Sequence, residues 1–157
     1  MALPFGSGFS PLMGEPRMGL TPIPQTTVFT TTLTTSGGAE TITAADVLGG
    51  LLVINCDDAQ TLTLPTAALM NAAIPATAVG ATVFFDILNV GDTTITVAVG
   101  TGGTLVVGNS KSTVATIATV TSKRFALRIT GVATEGVQGS SDSYVLYGFG
   151  QISAAVA

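Results

Sequence analysis

Histidine and tryptophan are absent, and cysteine occurs once, as Cys56. Without histidine, no Ser-His-Asp or Cys-His site can be assembled, because each needs an imidazole to carry the proton. A single cysteine forms no intrachain disulfide and cannot supply the several Cys or His ligands of a structural zinc site. Cys56 follows the apolar run Leu51–Ile54 and reads as a buried, inert thiol. Charge is also scarce. Only 9% of the 157 residues are charged, against about 25% in an average protein. The basic residues are Arg17, Lys111, Lys123, Arg124 and Arg128, and the net charge is −4. No basic stripe exists to neutralise phosphates, so nucleic acid is not an expected partner. An acidic, weakly charged surface has no electrostatic attraction to an anionic membrane.

The remaining routes to chemistry are weak. Ser110, Lys111 and Ser112 are adjacent, but neighbours on a turn point apart and nothing nearby depresses the lysine pKa. Gly103–Lys111 falls short of a phosphate loop, since Ser110 stands where glycine must precede the lysine. Asp57 and Asp58 are an adjacent pair without the alternating ligands of an EF-hand, and read as turn residues. A carboxylate pair for glycoside hydrolysis would draw on acids that sit mostly in turns. Asp86 is the exception, inside an apolar strand: a buried acid with a raised pKa is one reading, and the favoured one is structural, an acid that faces solvent or pairs with a basic residue, Arg124 and Arg128 being candidates. No catalytic residue, metal ligand or cofactor site is expected, and the chain does not read as an enzyme.

What is present is β-structure. Threonine and valine are abundant and helix-favouring charged residues few, which favours strands. The stretch Ala81–Gly100 is the centre of the pattern. Val83, Phe85 and Ile87 alternate with Phe84, Asp86 and Leu88; Ile95, Val97 and Val99 alternate with Thr94, Thr96 and Ala98. With Asn89, Gly91 and Asp92 between them, the two runs predict a β-hairpin. Phe84 and Phe85 put one ring on each face, which predicts cover over both faces. Thr27–Thr34, Glu40–Thr43, Leu51–Asn55, Thr61–Leu64, Leu105–Val107, Val114–Val120, Lys123–Thr130 and Tyr144–Phe149 predict further strands, and Ala44–Leu48 a helical turn. Thr66–Ala73 is the one expected helix, with Thr66 as N-cap and Pro75 as stop. Short strands separated by turns predict an all-β domain over 27–157, an antiparallel β-sandwich of jelly-roll-like form. No tandem repeat is evident. Ala67–Phe85 is uncharged and long enough to span a bilayer, but Asn71, Pro75 and Gly80 interrupt it.

Residues 1–26 differ from the rest. Five of the seven prolines lie here, at positions 4, 11, 16, 22 and 24, so no regular element runs through. Leu3, Phe5, Phe9, Leu12, Met13, Met18, Leu20 and Ile23 are spread along the segment. A disordered tail is one reading; an extended irregular arm that lies on another surface is the other, favoured because a free linker would be more polar. The opening MALPFGSGF has no basic region and no long apolar run, so no secretory signal is expected.

Leu51–Thr130 carries a resemblance. The corner Thr63–Ala68 (TLPTAA), the glycine before a strand at Gly80, Phe85–Asn89 (FDILN), the Thr/Val strand ending in glycines at Thr93–Gly103, and the strand Phe125–Ile129 form one pattern. It resembles a small β-sandwich module of bacteriophage virion proteins: head-decoration (cement) proteins, head fibres and tail fibres. The resemblance implies a homotrimer on the capsid surface, made in the host cytoplasm; the arm lies outside it, and its apolar, proline-punctuated sequence is what makes the major capsid protein its expected partner. It brings no catalytic residue. The alternative within the resemblance is a fibre adhesin for a host receptor or glycan, with the Glu135–Tyr147 segment and its Tyr144 and Tyr147 as the platform.

Overall fold

Alternating apolar and small polar residues become strands because branched side chains favour extended backbone and one pleated face can be buried. A computed structural model describes residues 29–35, 37–74, 79–107, 110–112, 114–134 and 141–153. In chain order these form β1 (Phe29–Thr35), β2 (Gly38–Thr41), α1 (Ala44–Leu48), β3 (Gly50–Cys56), β4 (Gln60–Thr63), α2 (Ala67–Ala73), β5 (Thr82–Asn89), β6 (Ile95–Ala98), β7 (Gly103–Val107), β8 (Ser110–Ser112), β9 (Val114–Ile117), β10 (Thr121–Gly131) and β11 (Ser143–Ser153). The described part is therefore mostly β. The expected arm, residues 1–26, lies outside the described residues, and so do residues 135–140 of the expected Glu135–Ser143 loop.

Both helices stand where capping chemistry allows them. The Thr66 hydroxyl accepts from the Leu69 amide at 3.3 Å and opens α2, on the expected segment. Thr43 opens α1 in a capping box: Asp46 returns a carboxylate oxygen to the Thr43 amide at 2.8 Å.

Consecutive strands alternate between two sheets. A seven-stranded sheet has the order β1-β3-β5-β10-β11-β7-β8, and a four-stranded sheet the order β2-β4-β6-β9. The chain thus winds through three coils, each leaving one strand in either sheet. Successive coils stack in parallel: β1 on β3, β3 on β5, β2 on β4 and β4 on β6. Leu51 pairs with Asp86 and Gln60 with Ile95, the same offset in both sheets. The helices occupy equivalent corners, α1 between β2 and β3 and α2 between β4 and β5, and pack together. After the coils, β10 joins β5 and β11 antiparallel, and β9 joins β6 antiparallel.

This corrects two expectations. The sheets are mixed rather than antiparallel, and neither is closed. Ala81–Gly100 is not a hairpin: β5 and β6 lie in different sheets. Its turn passes from one sheet to the other, and Gly91 packs on the preceding coil, where a Cβ would stand 2.4 Å from the Cys56 carbonyl oxygen. Phe85 and Ile87 therefore meet Ile95 and Val97 inside one shared core, not across a ladder. The coils are also a structural repeat that no sequence period shows, because the α2 corner and the residues after it make one coil longer than the other.

The core takes the inward residues of both sheets in one cluster, including Leu52, Ile54, Leu62, Ile117 and Leu127. The Phe85 and Phe125 rings stack with centroids 5.4 Å apart. One polar group ties the coil ends. The buried Asn89 amide nitrogen stands 2.7 Å from Thr93 O, 3.1 Å from Ala118 O and 3.3 Å from Ile117 O, while its oxygen accepts from the Gly91 amide at 3.0 Å. Asn89→Ala takes this partner from the Thr93 carbonyl and the Gly91 amide, while Ala118 O keeps the Thr121 hydroxyl at 2.8 Å, and is expected to cost about 3 kcal/mol in urea unfolding. Asn55→Ala, at an exposed strand position, is expected to stay within about 0.5 kcal/mol. Equal costs for the two would refute this role of Asn89.

Candidate functional site

Among the described residues, no three His, Cys, Asp or Glu side chains come together as metal ligands. Cys56 is buried, its sulfur 3.6 Å from the Thr93 hydroxyl. Lys123 is buried on the inner face, where its ammonium donates to Thr116 O at 3.3 Å and desolvation lowers its pKa. No helix of the described residues is long and apolar enough to cross a membrane; Ala67–Phe85 contains α2 and the first half of β5.

The feature that remains is the outer face of the seven-stranded sheet. Alternation along β5 turns Phe85, Ile87 and Asn89 inward and Thr82, Phe84, Asp86 and Leu88 outward. On β10, Ser122, Arg124, Ala126 and Arg128 point outward. Register brings them into rows: Leu51, Asp86 and Arg124 in one, Val53, Leu88 and Ser122 in the next. Across β10, β11 carries an extra residue between Gly148 and Gln151, opposite Phe125 and Lys123. That bulge presents Phe149 on the surface, 47% exposed.

The result is a groove of about 540 Å³ lined by Leu51, Leu88, Ser122, Phe149 and Gly150, with Asp86 and Arg124 on its floor. Arg124 Nε and Nη2 donate to the two Asp86 oxygens at 2.9 Å each, a bidentate pair. The hydrogen bond and the charge of Asp86 raise the guanidinium pKa further. The two charges cancel, so the groove offers apolar walls and a few directed polar groups. Among the residues that line it, no nucleophile stands hydrogen-bonded to a base. Of the two expected partners of Asp86, Arg124 is the one the structure pairs with it.

Phe84, 60% exposed, stands on the same face. The expected cover over both Phe84 and Phe85 is therefore half met: Phe85 is in the core, and neither α2 nor any other described element lies over Phe84. The reason is the register, which places Phe84 opposite Ala126, too small to shield a ring.

No family model matches this chain, and neither a curated protein nor a solved structure matches it.

The tyrosine platform expected for a glycan does not form as a pair. Tyr144 is buried; its hydroxyl donates to Pro65 O at 3.1 Å and accepts from the Gly100 amide at 3.0 Å, and burial raises its pKa. Gly103 lies beneath the ring, where a Cβ would be 2.5 Å from it. Tyr144 thus braces the third coil, and Tyr147 alone faces outward, half-buried. The arm residues Leu3 to Ile23 lie outside the described residues. Sequence reasoning missed the groove and Phe149. Its only trace was the alternation of Val145, Tyr147 and Phe149, which does not say what the strand lies beside.

A second apolar groove, about 510 Å³, runs between α1 and α2 beside Leu69, Ile42 and Pro65. Past α2, Asn71 donates to Asp142 and to Gly131 O, and the Ala133 amide donates to the same Asp142 oxygen at 2.9 Å. The Ala133 bond, then the Asn71 bond, holds the Asp142 carboxyl below its ordinary pKa. A depressed carboxyl stabilises the fold above the unfolded value of about 3.9 and loses that effect as pH falls through the folded value. The Ala133 amide shift is expected to titrate with a midpoint under about 3.9 in NMR. A midpoint at or above that value would contradict the anchoring.

Proposed function

We propose that this chain is a structural virion protein, a capsid decoration (cement) protein that binds and stabilises a phage head shell as a homotrimer. The observation that carries the reading is the outer sheet face, where Phe84 and Phe149 stand exposed beside a self-neutralised ion pair. A charge-poor chain with such a face and an apolar arm invites partners rather than a free monomeric existence. In this reading the two sheets form a sandwich, jelly-roll-like in outline though mixed in strand direction. The sandwich trimerises on the capsid surface, and the arm, residues 2–24, docks on the major capsid protein.

The arm suits that role physically. Proline removes backbone donors and limits the conformations lost on docking, so many small apolar contacts add up. Copies on one trimer add avidity. The protein acts by binding, without catalysis or cofactor, and without contact with nucleic acid or membrane. Synthesis in the host cytoplasm fits assembly of this kind. The fibre-adhesin reading loses one of its two tyrosines to the core.

Light scattering is expected to give a trimer mass, and a stable monomer would count against the proposal. Deleting residues 2–24 is expected to abolish binding to undecorated capsids in a co-sedimentation assay; undiminished binding would sink the arm's role.

A further inference from the structure

The two sheets share one core, yet their outer faces differ in kind. On the four-stranded sheet, register aligns Thr61, Thr96 and Thr116 in one row and Thr41, Thr63 and Ala98 in the next. All six face outward. Short side chains with hydroxyls leave that face to water. On the seven-stranded sheet the corresponding row is Phe84, Ala126, Tyr147 and Val106. One alternating pattern thus yields a face of small hydroxyls and a face of rings and branched chains.

Extent separates the faces as well. β3, β5, β10, β11 and β7 lie side by side with 7, 8, 11, 11 and 5 residues. At about 4.8 Å between strands and about 3.3 Å per residue, they form a surface of roughly 24 by 27 Å. That is about 650 Å² before the relief of the side chains is added, close to the roughly 800 Å² that each partner gives to a stable interface. The four-stranded sheet has strands of four residues each. Its face covers only about 250 Å².

Charge and shape say which partner fits. The chain carries a net charge of −4, so its copies repel wherever their acids meet. Glu40, Asp46, Asp57, Asp58 and Asp92 all lie off the large sheet, on β2, on α1 and in the turns after β3 and β5. The one acid on the outer face, Asp86, has both oxygens on Arg124. Arg128 stands exposed at the rim beside Thr82, where a charge keeps its water. An acidic chain therefore meets its own copy on this face without opposing acids. The face also carries both a projection and a hollow. Phe84 is 60% exposed above the small Ala126. The groove of about 540 Å³ walled by Leu51, Leu88 and Phe149 lies on the same face. A surface with both is complementary to itself.

We infer that the outer face of the seven-stranded sheet is the contact between copies of this chain, with Phe84 of one copy seated in the groove of the next. This contact is where the proposed homotrimer closes, and so it rests on that reading. Each copy gives its ring to one neighbour and its groove to the other, and three such contacts close a ring. Assembly also takes Asp86 and Arg124 out of water. A pair that adds little on an open surface then becomes one that neither partner can leave, because a lone buried charge is costly.

The chain contains no tryptophan, so Phe149→Trp places a single reporter on the groove wall of the full-length protein. Its emission is expected to be blue-shifted while light scattering shows the oligomer, and to move to the red on dilution as the mass falls to that of one chain. A blue shift that persists in the monomer would place the chain's own segment on the face and overturn the inference. Phe84→Asp and Asp86→Asn are each expected to weaken assembly on the order of 30-fold or more, with far-UV circular dichroism unchanged. Thr96→Asp, on the other outer face, is expected to keep the wild-type mass. An undiminished trimer in Phe84→Asp would overturn the inference and leave the homotrimer standing. A monomeric wild type would overturn both. A wild-type dimer that Phe84→Asp dissociates would keep this contact and end the trimer.

Discussion

The close contact of Gly91 with the backbone of Cys56 governs the architecture. A turn at this place can leave one sheet and enter the other only if it lies flat on the turn beneath it, and a side chain at position 91 would prevent that. Once it does, β5 stacks on β3 and β6 on β4 at one common offset. Asn89 then satisfies the backbone groups that the crossing leaves inside, and so joins the coils to the turn after β9. Parallel stacking places the α1 and α2 corners together, and the two sheets are left facing one core.

The same winding explains where exposed apolar surface accumulates. A strand in a two-sheet arrangement buries one face only. In the seven-stranded sheet the other face carries Leu51, Phe84, Leu88 and Phe149 beside the charged Asp86, Arg124 and Arg128. Arg124 and Asp86 could have opened that face to water, but they pair with each other. Composition and topology therefore act together: a chain with so few charges has little to spend on an outer face, and the ladder gathers its exposed rings into one region.

Much of the fold was legible in residue patterns. Alternation along β5 and β10 sorted each strand into two faces, and Phe85 with Ile87 and Leu127 with Ile129 lie on the buried ones, though the pattern did not say which face of β5 lay inside. Thr66 and Pro75 bound a helix that needs no tertiary context for its start. Arg124 and Arg128 were legible as candidate partners of Asp86 from charge alone, and the register between β5 and β10 chose Arg124. The hairpin did not survive, since alternation describes the faces of one strand and is silent about its neighbour. Tyr144, expected beside Tyr147 on an exposed platform, is buried for the same reason, and the bulge at Phe149 exists only as a mismatch between two strands.

Residue chemistry therefore decided local matters: which segments extend, which face of each is apolar, where helices begin, and which catalytic classes lack their groups. These depend on side chains within a few positions of one another. Tertiary structure alone decided the parallel stacking of coils, the burial of Tyr144, the exposure of Phe84 and the groove that Leu51, Arg124 and Phe149 share. Those depend on register between segments far apart in the chain, and register is set by turn lengths and backbone contacts such as Gly91 on Cys56, which leave no periodic mark in the sequence.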